Sequence, residues 1–344
     1  MKFNPGKWSE ELLEGVDPEA FTMENTFGHY GKETTAEVMR AAQEWVSQFT
    51  VVIASTGMVR ESKQCPDIVP GSGVLVRLNG HMHGLLTAGH VLRRGGNTPD
   101  CAAITVLVPP RDRKQGGYVM AIDLPSRPCT VVGFDNKTED GPDIAIIRLA
   151  SGEWTTLERW GMVAYNLDKK RWSDEDKAEL GKMKPWLFSV INGVRCEASQ
   201  IVHSHTDGEA GSLAIMASNT RINILGDRCG YDYLELPSET TPYSYPTQWE
   251  SELPGTAAEE IDELHNEGVT RRVWGGTSGA GVWNLAIGTT RNGLPDGKVL
   301  AELAGICFYA NPDRGCIIAH GTKSIARIAA NHIEQEALRY HSKE

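Results

Sequence analysis

The sequence contains no Cys-x-x-Cys pair, and its seven cysteines are an odd number scattered along 344 residues. The missing pairs argue against a zinc knuckle, and the odd, irregular count argues against a full disulfide framework, so reduced thiols in a cytoplasmic setting are expected. Cys307 and Cys316 remain open to two readings: partners across a hairpin, or two small buried apolar groups. No stretch approaches the roughly 18 consecutive apolar residues that would span a bilayer, and the opening Met-Lys-Phe-Asn-Pro-Gly-Lys carries no apolar segment after its first lysine. Neither a membrane partner nor a signal peptide is expected. Positive charge is also scarce, with 34 Lys and Arg against 45 Asp and Glu and a net charge of −11. Nucleic acid is therefore not an expected partner, since phosphate backbones are bound by clustered cations.

Turn formers are plentiful. With 36 glycines, 17 prolines, 40% hydrophobic and 23% charged residues, the composition is that of a turn-rich globular protein leaning towards β structure. The length exceeds the usual ~100–200 residues of one domain, which predicts two packed units with decoration.

The pattern of apolar residues divides the chain. Val38, Ala41, Ala42 and Trp45 fall at helical spacing within Thr34–Gln48, so residues 1–48 form an extension carrying a helix. Short β-rich runs follow at Val51–Ser55, Gly73–Leu78, Gly84–Ala88, Ala103–Val108, Thr130–Phe134 and Ile144–Leu149. They define a first β unit over 49–150. No helices alternate with these runs, which favours a barrel or sandwich over a doubly wound sheet. The charged segment 151–185, where Ser173 and Asp176 can cap a short helix, reads as a connection.

A second β unit over 186–322 is expected from Trp186–Val190, Gln200–His205, Ser212–Met216, Arg221–Leu225, Gly281–Asn284, Val299–Phe308 and Gly315–Ala319. Residues 236–271, with four prolines, a Thr256/Glu259 capping box and Gly268 as a stop, read as a surface insertion. The last segment, 323–344, places Ile325, Ile328, Ala329, Ile333, Ala337 and Tyr340 on one helical face.

Three short segments carry residue types suited to nucleophilic chemistry. In Leu86-Thr87-Ala88-Gly89-His90-Val91, a histidine leaves the end of an apolar strand, where its imidazole can act as a general base. In Gly141-Pro142-Asp143-Ile144-Ala145-Ile146, an aspartate precedes a buried strand and can accept the imidazole Nδ1–H, fixing the tautomer. In Trp274-Gly275-Gly276-Thr277-Ser278-Gly279-Ala280-Gly281, small residues around Ser278 let backbone amides converge, so the N–H groups of Gly276 and Ser278 can form an oxyanion hole. Each is weak alone, and the conjunction His90, Asp143, Ser278 in that chain order is what raises the signal.

The Thr-Ala-Gly-His, Asp-Ile-Ala-Ile and Gly-Thr-Ser-Gly-Ala-Gly segments resemble the signature blocks of the trypsin/chymotrypsin-like serine protease superfamily, nearer its bacterial and HtrA-type intracellular branches than secreted trypsin. The similarity spans about Val51 to Ile325. It implies an all-β core with helical decoration: two six-stranded antiparallel β-barrels with the site between them, His90 and Asp143 from the first and Ser278 from the second. It implies hydrolysis of a protein or peptide substrate through an acyl-enzyme intermediate, with no cofactor. The sequence departs from secreted members in two ways. It lacks their bracing cysteines, and Thr277 stands where zymogen-type members carry an aspartate, so propeptide cleavage is not expected to switch it on.

By the same resemblance, a substrate pocket would draw on Arg272, on Cys307, Phe308 and Tyr309, and on His320, with Arg272 and His320 favouring an acidic side chain. Two His-x-His pairs, His81/His83 and His203/His205, could each offer two ligands on one strand face, but no acidic or cysteine partner lies near them in sequence. No metal is expected. Two rival readings stay open: a latent protease released by a protein partner, and a non-catalytic peptide-binding member of the same fold.

Overall fold

Runs of β-branched and aliphatic residues form strands here because alternate side chains can leave the backbone on both faces and be buried on each. The clearest case is Ile144–Arg148, in which Ile144, Ala145, Ile146 and Ile147 are all fully buried. The computed structural model of the chain describes residues 23–55, 71–93, 101–108, 120–133, 141–168, 174–182, 185–194, 215–220, 222–228, 230–237, 277–311, 314 and 316–341.

The first sheet is built from β1 (Thr50–Ser55), β2 (Gly71–Leu78), β3 (Met82–Thr87), β4 (Cys101–Val108), β5 (Met120–Val132), β6 (Ile144–Arg148) and β7 (Tyr165–Asn166). Its order is β1-β4-β5-β6-β3-β2-β7, antiparallel except for the short parallel β2–β7 pair. It curls strongly, since β1 pairs with β4 along one edge and with β2 along the other, Val51 lying opposite Gly73. The second sheet holds β8 (Trp186–Val194), β9 (Ile215–Thr220), β10 (Asn223–Arg228), β11 (Tyr231–Pro237), β12 (Gly281–Thr289), β13 (Pro295–Asn311) and β14 (Cys316–Gly321). It is antiparallel, in the order β10-β11-β14-β13-β12-β8-β9.

Helices decorate the sheets: α1 (Met23–Ser47), α2 (Gly89–Arg93), α3 (Ser151–Arg159), α4 (Asp174–Lys182) and α5 (Thr322–His341). Helix α1 buries Val38, Met39, Ala42 and Val46 in one core shared by both sheets. Trp283 of β12 is fully buried there, its ring centroid 5.2 Å from Phe49 and 5.2 Å from Tyr165. Helix α5 is held at its start by Asp232 of β11, whose carboxylate accepts Ser324 N–H at 2.8 Å and Ser324 Oγ–H at 2.9 Å. Further along, His332 meets Thr130 Oγ1 at 2.8 Å, and Arg148 of β6 pairs with Glu336 at 2.7 Å.

The seam between the sheets is polar and specific. The Thr50 hydroxyl donates to Asn192 Oδ1, and Val194 N–H donates to Ser72 Oγ at 2.9 Å.

Several boundaries differ from the sequence expectation. Strand β5 starts at Met120 rather than Thr130, and β13 runs through Pro295–Asn311 rather than from Val299. Strand β11 and helix α3 are additions, and the expected insertion loses its first two residues, Leu236 and Pro237, to β11. Each sheet has seven strands among the described residues, against six expected in each barrel. Cys307 and Cys316 are both buried, but Cys307 lies opposite Ala319 and Cys316 opposite Asn311, so they do not face one another. The expected strand Gln200–His205, the Ser173 cap and residues 238–276 of the insertion and Gly-rich bend lie outside the described residues.

Candidate functional site

Asp143 stands immediately before β6, at the edge of a strand too apolar to slide, and is only 1% exposed. Its carboxylate meets His90 twice. Oδ1 accepts the His90 backbone N–H at 2.9 Å, and Oδ2 lies 2.5 Å from His90 Nδ1. The two contacts fix both the first turn of α2 and the imbalance between the ring nitrogens: Nδ1 carries the shared proton and Nε2 is left to accept. Gly89 makes the approach possible, because a Cβ there would fall 2.7 Å from Asp143 Oδ1. The His90 side chain keeps 13% of its surface open.

The backbone of Asp143 is held from behind. Its N–H donates to His320 Nε2 at 2.9 Å. His320, on β14, is fully buried and stacks on Phe308 with ring centroids 4.3 Å apart and planes 20° apart. Burial holds its pKa down to about 4, against the opposing pull of the Asp143 and Asp232 carboxylates.

Ser278 lies in the turn between residue 277 and the start of β12, and it is half-buried. That turn is docked on both sheets. Ser72 N–H of β2 donates to Ser278 O at 2.7 Å, and Gly279 N–H donates to Cys307 O of β13 at 2.7 Å. Gly279 has φ +86°, and a Cβ there would fall 1.9 Å from Ser72 O and 2.2 Å from Thr87 Oγ1. Only glycine fits that bend. Thr87 in turn donates to Ser72 O at 2.7 Å, and Thr87 is three residues before His90 on the same strand-to-helix passage.

The structure thus joins His90 to Asp143 directly and ties the Ser278 turn to the strand ends beside them. Among the described residues no hydrogen bond links Ser278 to His90, and the Ser278 N–H has no acceptor. Gly276 and Arg272 lie outside the described residues. Of the residues read as a substrate pocket, Cys307 and Phe308 are 1% exposed and Tyr309 is half-buried. His320 faces the back of Asp143 rather than open space. Burial also pushes the Cys307 thiol up, which leaves it inert as a nucleophile.

His83, one half of a His-x-His pair, stacks flat on Trp154 at 4.0 Å, while His203 and His205 lie outside the described residues. Among the described residues no group of three His, Cys, Asp or Glu converges as a metal site would require, and no helix is long and apolar enough to cross a membrane. Ser72 belongs to no motif, so nothing in its sequence neighbourhood marks it. Thr87 lies inside the Thr-Ala-Gly-His segment, but its link to the Ser278 turn comes only from the fold.

Comparison with protein-family models and with curated protein sequences finds no match to this chain.

Proposed function

We propose that the chain is a serine endopeptidase of trypsin-like design, with Ser278 as nucleophile, His90 as general base and Asp143 as the group that orients the histidine. One observation carries the reading: a buried carboxylate grips both the backbone and the Nδ1 of a partly open histidine. A carboxylate so placed stabilises the imidazolium that forms when Nε2 takes a proton. The reading is also supported by the two sheets, since the curled first one carries His90 and Asp143 at its strand ends and the antiparallel second one starts β12 just after the Ser278 turn.

In this reading His90 Nε2 takes the Ser278 proton as Oγ attacks a peptide carbonyl. The oxyanion is met by the N–H groups of Ser278 and Gly276, and His90 then returns the proton to the leaving amine. Water repeats the cycle on the acyl-enzyme.

A latent form is the second reading, favoured by the lack of a His90–Ser278 hydrogen bond among the described residues. Catalytic hydrogen bonds are often long before substrate binds, so this observation ranks behind the first.

The experiment is labelling of the full-length chain with a fluorophosphonate probe, together with cleavage of unfolded casein. Wild type should label and cleave, and Ser278→Ala should do neither. Equal labelling of the two proteins would end the proposal. Labelling that emerges only after adding cell extract would select the latent reading.

A further inference from the structure

The histidine behind the dyad is an expensive choice for a core position. His320 is fully exposed to protein and not to water, packed among Phe308, Tyr233 and Tyr231, with ring centroids 4.3, 5.1 and 6.1 Å away. Its Nε2 takes the Asp143 backbone N–H at 2.9 Å, while its Nδ1 has no hydrogen-bond partner among the described residues. A neutral imidazole has one donor and one acceptor nitrogen. Because Nε2 accepts here, the proton sits on Nδ1, and that buried N–H is left unmet. Leaving a buried donor unsatisfied is destabilising, a cost that a leucine or phenylalanine at this position would avoid. The one polar interaction gained in return is the acceptor offered to Asp143.

We propose that His320 is a positioning residue for the His90–Asp143 pair: it fixes the peptide N–H of Asp143, and through it the carboxylate that holds His90. The inference rests on the serine protease reading for its consequence in catalysis, but the structural link stands without it. Asp143 follows the Gly141-Pro142 bend and precedes β6, so β6 fixes its carbonyl side while its N–H is secured from the second sheet by His320. The first sheet supplies the histidine and the carboxylate, and the second sheet sets the angle at which they meet. The charged groups facing His320 are Asp143 and Asp232, both acidic.

The test is NMR on the full-length, isotope-labelled chain. An N–H···N hydrogen bond transmits a scalar coupling between its two nitrogens, so wild type should show one between Asp143 N and His320 Nε2, with His320 neutral and protonated on Nδ1. The His90 Nδ1 proton should appear far downfield. His320→Leu should lose or shift that resonance, and His320→Gln, whose side-chain oxygen can accept the same N–H, should keep it. Fluorophosphonate labelling should slow about tenfold or more in the leucine variant and recover to within about threefold in the glutamine variant. A missing coupling in wild type overturns the inference. So does a folded leucine variant with an unmoved His90 resonance, or, should that variant not fold, a folded glutamine variant that loses the resonance. Wild type that keeps the coupling and the downfield proton but never labels would overturn the protease reading and leave this one standing.

Discussion

Gly279 shows how little freedom the Ser278 turn has. With φ +86° and a neighbouring carbonyl oxygen 1.9 Å from any added Cβ, Gly279→Ala must displace either the turn or β2. The left-handed conformation alone costs an alanine ~1–2 kcal/mol, and the overlap adds to it. Gly279→Ala should therefore lower unfolding free energy by about 2 kcal/mol or more and cut fluorophosphonate labelling at least tenfold. Wild-type values on both counts in urea titration and labelling would show that the turn is looser than this geometry implies. The same residue illustrates what single positions reveal before folding. The glycines around Ser278 and the aspartate ahead of β6 announce their chemistry through neighbours in sequence. His320 does not, because what it touches is 177 residues away, and its apolar strand neighbours suit a pocket wall as well as a core.

Among the elements, β11 and α3 were not legible, for reasons that differ. Strand β11 reads Tyr-Asp-Tyr-Leu-Glu-Leu-Pro, and its acidic residues resemble the start of a solvated loop. In the fold each has tertiary work: Asp232 receives the first turn of α5, and Glu235 pairs with Arg314. Helix α3 contains a glycine and two threonines and buries only Leu157, so its periodic signal is faint. It is secured from outside instead, by Arg127 bound to Glu153 at 2.5 and 2.7 Å. The long terminal helix was plain because Ile325, Ile328, Ala329 and Ile333 repeat at helical spacing and pack inward, although Ala337 and Tyr340, read as part of the same face, are exposed. Its anchor gives a sharp prediction. Asp232→Ala takes the carboxylate acceptor from Ser324 N–H and Lys323 N–H, while Ser324 Oγ–H keeps the carbonyl of residue 232, and by the worth of charge-assisted capping bonds should cost about 2 kcal/mol. Chemical denaturation measures it, and a loss below about 0.5 kcal/mol would mean the α5 start is satisfied another way.

For the molecule as a whole, acid should be the weak direction. His320 and His332 are both fully buried, and burial holds each near 4, below the ordinary value of 6.5. For His332, Glu336 opposes that depression, while Arg339 and Arg148 add to it. Between pH 6.5 and 4 the unfolded chain binds protons that the folded chain refuses, so stability rises with pH across this window. It is complete above about 6.5 and drains away as pH falls towards 4. At ~1.36 kcal/mol per pH unit, about 2 kcal/mol per histidine should be lost between pH 7 and pH 5. Urea unfolding at the two pH values checks this, and His332→Gln should flatten part of the slope. Identical midpoints at pH 7 and 5 would contradict it. The mostly β core was legible at this scale from strand spacing and turn residues. The way the sheets lock together was not, since it depends on isolated polar residues such as Thr50, Asn192 and Ser72.

Ser72 is where those locks converge. Its oxygen receives Thr87, its amide holds the carbonyl of Ser278, and its hydroxyl receives the amide of Val194 from the other sheet. Prying the two halves apart at the seam would therefore drag the serine's turn away from the strand that ends at His90. On the proposed serine protease reading, this joint must stay shut through the catalytic cycle, which makes the seam a rigid frame for the site.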